Sequence, residues 1–90
     1  MKPIRWTQHA QRESGRREVD QSEAESAIRE PDSVVPAQPP RKIFEKAYSD
    51  RILGHGMLVR VVVEETESEL VVVTLYKTSK LRKYSEVDER

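Results

Sequence analysis

The stretch MLVRVVVE at residues 57–64, followed by LVVVTLY at residues 70–76, decides the fold. Both runs are dense in valine and leucine, residue types that suit a pleated, half-buried surface. Each contains three consecutive valines, which points to central strands covered on at least one face. The connection between them, Glu65 to Glu69, is acidic and reads as a solvated hairpin turn. Upstream, residues 43–48 read as a further strand. Ser49-Asp50 then begins a turn, and Gly54-His55-Gly56 breaks the chain again. Pro36, Pro39 and Pro40 define a stiff loop through which no central strand can run.

Further toward the N-terminus the pattern becomes helical. Asp20 is placed to cap a helix, and Glu23 three residues later completes a capping-box pattern. Val19 and Ala24 fall where a hydrophobic staple would hold the helix start. Ala24, Ala27 and Ile28 form one narrow apolar face, and Pro31 ends the helix at Glu30. An earlier helix runs from a Thr7 cap to about Ser14, with Gly15 as its stop. Ala10 is its only clear inward residue, so Trp6 and the sheet must hold it. Ile4 and Trp6 alternate around Arg5 as a short opening strand or extended arm. The expected architecture is α+β: two short N-terminal helices packed on a twisted antiparallel sheet of three to four strands. Residues 1–84 form one domain and residues 85–90 a frayed tail.

Composition narrows the function classes. In 90 residues, 36% are hydrophobic and 36% charged, above the usual charged share of about 25%. The core is therefore thin. There is no cysteine, which excludes disulfides, thiolate metal sites and cysteine nucleophiles. Two histidines alone do not make a metal site. No nucleophile motif or glycine-rich phosphate loop stands out, so neither a cofactor nor a metal is expected. No apolar run approaches the roughly 20 residues that span a bilayer, and no signal peptide opens the chain. A cytoplasmic protein without membrane contact is expected.

Net charge is zero, yet the charges lie in blocks. Lys2, Arg5, Arg12, Arg16 and Arg17 face Glu13 alone in residues 1–17. Acids dominate residues 18–32. Glu64, Glu65, Glu67 and Glu69 form an acidic turn, read as solvation without basic neighbours. Lys77, Lys80, Arg82 and Lys83 form a basic stretch, which is what phosphate binding requires.

Two groups carry candidate chemistry. His9, Arg12 and Arg16 fall at i, i+3 and i+7, on one helix face. Histidine moves protons near neutral pH, and arginine holds a phosphate in a fork. RNA supplies its own nucleophile, the 2′-hydroxyl. The structural alternatives are a first-turn role for His9 and pairing of the arginines with Glu13, Glu18 or the acidic second helix. The second group is Lys77, Lys80, Arg82, Lys83 and Tyr84, basic residues with an aromatic for stacking or proton transfer. Its alternative is a solubilising tail. Arg41 and Lys42 could extend a basic surface. His55 reads as a turn residue.

Taken in order, these pieces resemble a family of uncharacterised domains. The segment from Ile4 to Arg12, then Arg16-Arg17, matches an opening H-A-x-x-R helix. Val19-Asp20-Gln21-Ser22-Glu23, Glu30-Pro31-Asp32 and Val72-Val73-Thr74-Leu75-Tyr76 match the later motifs. That family is similar to the RelE/ParE/BrnT superfamily of bacterial toxins. The resemblance implies a RelE-like fold and metal-independent mRNA cleavage, often on the ribosome. It also implies an antitoxin partner. On it, His9 and Arg12 map onto the family's opening histidine and first arginine, and Lys80 and Tyr84 onto its basic and aromatic C-terminal region. With Arg16 these are the catalytic candidates, and Arg41, Lys42, Lys77, Arg82 and Lys83 are the candidate nucleic-acid-binding residues. The alternative is a non-catalytic nucleic-acid- or protein-binding module on the same fold.

Overall fold

A computed structural model describes residues 2–50 and 55–79. Its elements are strand β1 (Ile4–Trp6), helices α1 (Gln8–Arg16) and α2 (Gln21–Arg29), and strands β2 (Ser33–Pro36), β3 (Arg41–Asp50), β4 (His55–Glu65) and β5 (Leu70–Thr78). The strands form one five-stranded mixed sheet in the order β1-β5-β4-β3-β2. Helix α1 packs on β5, and α2 lies across β4 and β3.

The valine-rich hairpin is the centre of this sheet. Val61 lies opposite Leu75 and Val63 opposite Val72, with a register shift between Val62 and Val63. Side chains alternate along a strand, so residues 72 and 75 should point to opposite faces. The shift places one extra residue, Val73, in β5 and turns both Val72 and Leu75 toward the helices. Both are fully buried there, beside Val59, Val61, Ala10, Ala24, Ala27 and Ile28.

Two strands depart from the expected three-to-four-stranded antiparallel sheet. β1 pairs with β5 in parallel, Ile4 opposite Leu70 and Trp6 opposite Val72. A parallel neighbour requires a long crossover, and the helical segment supplies it. β2 pairs with β3 ahead of the proline loop. It is an edge strand that ends on Pro36, a place where a missing N–H breaks no ladder. His55 and Gly56 do not break the chain. They extend β4 by pairing with Asp50 and Ser49.

The helix boundaries follow their capping chemistry. Thr7 Oγ1 accepts from the Ala10 N–H at 3.1 Å, and the Glu23 carboxylate accepts from the Asp20 N–H at 3.0 Å. Val19 and Ala24 are both buried, as the staple requires. Helix α1, however, passes through Gly15, expected to stop it, and ends one residue later at Arg16. Val19 N–H donates to the Ser14 carbonyl and Glu18 N–H to the Gly15 carbonyl. That is a Schellman cap. Its left-handed position, φ 56°, is held by Glu18 rather than a glycine.

The other face of the sheet carries no helix among the described residues. A polar row crosses it through four strands. Ser33 Oγ and Arg60 Nε both donate to the Glu45 carboxylate at 2.7 Å. Arg60 also donates to the Tyr76 hydroxyl. Glu45 is 1% exposed and Arg60 8%. Breaking a buried pair leaves an uncompensated charge, whereas replacing both members with apolar residues of similar size is often neutral. Arg60→Met should therefore cost about 3–5 kcal/mol in urea unfolding, and the double variant Glu45→Leu/Arg60→Met should recover most of it. Equal losses in the single and double variants would contradict the pairing.

Candidate nucleic-acid interface

Two lysines flank one valine at the far end of the helix-covered face. Val59 pairs with Lys46 on β3 and with Lys77 on β5. Lys77 Nζ donates to the Glu18 carbonyl at 2.9 Å, and Lys46 Nζ donates to the Glu30 carbonyl at 2.9 Å. Each ammonium thus sits at the C-terminal end of a helix, where the backbone dipole is negative. An ammonium has three donors. Each lysine therefore retains donors with no partner among the described residues.

Two arginines stand beside Lys77, at the end of α1. Arg16 Nη1 donates to Glu13 Oε2 at 3.0 Å, and Arg17 Nε donates to Glu13 Oε1. Glu13 is nearly buried, at 7% exposed. Hydrogen bonding to Arg17 and then to Arg16 holds its carboxyl at about 2, against an ordinary 4.5. One carboxylate therefore fixes two guanidinium groups whose side chains are about half or more exposed. A fixed fork loses little entropy when it grips a phosphate.

The residues singled out in the sequence divide between the two ends of the sheet. His9 and Arg12 are exposed on α1. Arg16 belongs to the helix, so all three share the face that their spacing requires. A rise of 1.5 Å per residue separates His9 from Arg16 by roughly 10 Å along the axis. Lys77 adjoins the turn after Arg16 and Arg17. Lys80, Arg82, Lys83 and Tyr84 lie outside the described residues, as do residues 85–90.

Arg41 and Lys42 lie at the opposite end. Arg41 Nε is 3.5 Å from Glu64, and Lys42 Nζ is 3.1 Å from Glu65. Lys2 reaches Glu65 at 2.7 Å and Arg5 reaches Glu69 at 3.0 Å. The acidic turn, read as lacking basic neighbours, is thus ringed by four cations. These partners are remote in sequence and meet only through β1–β5 and β3–β4 pairing. Lys2 and then Lys42 also pull the Glu65 carboxyl below the usual range.

Sequence reading passed over Lys46, Tyr48 and the Glu45–Arg60 pair. A charged residue such as Arg60 inside a valine run is a signal, because strand alternation places it on the face opposite Val59 and Val61. Its partner is unreadable without the β3–β4 register. Nothing in the sequence marks Lys46 as a helix-end cation, since that depends on where α2 ends over the sheet.

Residues 6–77 match the family described as Domain of unknown function (DUF4258). No curated protein and no solved structure matches the chain.

The Glu13 carboxyl titrates lower folded than unfolded. Its contribution to stability is complete above pH 4.5 and is lost as pH falls toward about 2. Urea midpoints measured between pH 6 and pH 2.5 should fall for the wild type. Glu13→Gln should be less stable at pH 6 and show a shallower fall, with the Glu65 part remaining. Identical pH profiles for the two proteins would contradict the arginine clamp.

Proposed function

The chain belongs to this domain-of-unknown-function family, and from that premise we propose that it is a toxin-like, RNA-directed module. In this reading it is a metal-independent endoribonuclease of a toxin–antitoxin pair. The observation that carries the reading is the Lys77–Glu18 contact. It brings Lys77, the first basic residue of the closing segment, against the turn that ends the opening helix.

The chemistry then divides by residue. Lys77, Arg16 and Arg17 neutralise phosphates, and Arg12 extends the track along α1 toward His9. His9 takes the proton of the ribose 2′-hydroxyl as it attacks the adjacent phosphorus. Lys80 and Tyr84 follow β5 directly in the chain. Lys80 stabilises charge on the pentavalent phosphorane, and Tyr84 protonates the leaving 5′-oxygen. The products are a 2′,3′-cyclic phosphate and a free 5′-hydroxyl, so neither metal nor protein nucleophile is needed. The two helices packed on the sheet are consistent with the RelE-like fold, and an adjacent-gene antitoxin would be the protein partner.

One observation favours binding without cleavage on the same surface. Arg16 and Arg17 are both engaged by Glu13, and His9 stands exposed at the other end of α1, so the candidate residues are spread along the helix. Two measurements separate the readings. Induced expression of the intact chain in a bacterial host should arrest growth, and His9→Ala should relieve the arrest. Single-stranded RNA affinity should fall steeply with salt, and Lys77→Ala should lower the magnitude of the log–log slope by about one. RNA binding without arrest selects the binding module. No RNA binding at any salt concentration overturns both readings.

A further inference from the structure

A cleft of about 170 Å³ opens between α2 and the lysine row, lined by Glu23, Ser26, Lys46, Tyr48 and Val59. We propose that this cleft seats one unstacked cytosine of a single-stranded RNA; the inference rests on the RNA-directed reading above and adds a base preference to it.

Size comes first. A cavity of about 150 Å³ accepts a benzene ring. At about 170 Å³ the cleft therefore has room for a six-membered ring. Its walls suit a planar base. Val59 is 2% exposed and supplies an apolar floor. Tyr48 packs against the core cluster beside it and lines the cleft, where we assign its ring to stacking. Aromatic stacking of splayed bases is the usual way in which single-stranded RNA is held.

The polar rim then distinguishes pyrimidines. Glu23 and Ser26 are one helical turn apart on α2, so their side chains share its sheet-facing flank. Glu23 Oε1 accepts the capping hydrogen bond from Asp20. Its second oxygen, Oε2, has no hydrogen bond among the described residues. A carboxylate oxygen accepts from the cytosine N4 amino group. In uracil the same position is a carbonyl oxygen, which a carboxylate repels. The Ser26 hydroxyl has no hydrogen bond among the described residues and can donate to the ring O2 or N3. Lys46 uses one donor on the Glu30 carbonyl and has others for the flanking phosphate. Lys77, across Val59 in the same row, would meet the next phosphate.

The test uses the full chain, fluorescein-labelled oligo(rC) and oligo(rU) of equal length, and the free nucleotides CMP and UMP. Anisotropy should give oligo(rC) about tenfold or more tighter binding than oligo(rU). Glu23→Gln keeps the helix cap and should collapse that ratio toward one. Tyr48→Leu should weaken both oligomers, and Tyr48→Phe should restore them. Addition of CMP, more than UMP, should shift the backbone amide signals of Ser26 and Tyr48. Tight binding of both oligomers with no C-over-U ratio, or a ratio untouched by Glu23→Gln, overturns the cleft assignment and leaves the RNA reading standing. CMP shifts at Ser26 and Tyr48 without oligomer binding would support the cleft and overturn the RNA reading. Neither CMP shifts nor oligomer binding overturns both.

Discussion

Three residue pairs, Ile4 with Leu70, Arg5 with Val71 and Trp6 with Val72, set where the first helix lies on the sheet. They pin the start of the chain to its last strand in parallel. Thr7 then binds the Val72 carbonyl through both its N–H and its hydroxyl, at 3.3 Å and 2.9 Å. The same hydroxyl accepts from Ala10 and starts α1. The helix can therefore run only over β5, and its end arrives beside Lys77. Trp6 reaches further, donating from its indole N–H to Glu25 on α2 at 3.1 Å. A three-residue strand is a weak element alone. Here it is held by the sheet, by the cap it initiates and by the second helix.

This arrangement sorts the charges of a neutral chain. At one end of the sheet the acidic β4–β5 turn is neutralised by Lys2, Arg5, Arg41 and Lys42. At the other, Arg16, Arg17, Lys46 and Lys77 collect around the ends of two helices. Their acceptors there are backbone carbonyls and the nearly buried Glu13 carboxylate. Carbonyl dipoles anchor Lys46 and Lys77 at these helix ends, beside the acidic stretch of residues 18–32. Arg41 and Lys42, candidates for nucleic-acid contact, belong to the neutralised end.

Features written into local chemistry were legible. The valine hairpin, the Asp20–Glu23 box, the staple and the Pro31 stop each depend on residues within a few positions of one another. Features set by long-range pairing were not. The parallel partner of Ile4–Trp6 lies 66 residues away in the register Ile4–Leu70, and no local pattern announces it. Gly15 misled because glycine favours a helix stop, yet the Schellman turn closed at Glu18. Lys77 supports that turn through its bond to the Glu18 carbonyl. The bulge at Val73 was hidden inside a run of identical residues, where alternation leaves no mark. The site was legible as a list of cations but not as a place. Which of them share an end depends on strand register, and Arg16 is tied to Glu13 by a geometry that sequence only permits.

In the proposed function, RNA meets this protein where α1 ends against β5. Amide hydrogen exchange of the intact chain, with and without single-stranded RNA at low salt, tests it directly. Slowed exchange at Arg17, Glu18 and Val19 and at the end of β5, with the Thr66–Leu70 turn unchanged, is the predicted result. Slowing confined to the acidic turn, or no change anywhere with saturating RNA, would contradict it.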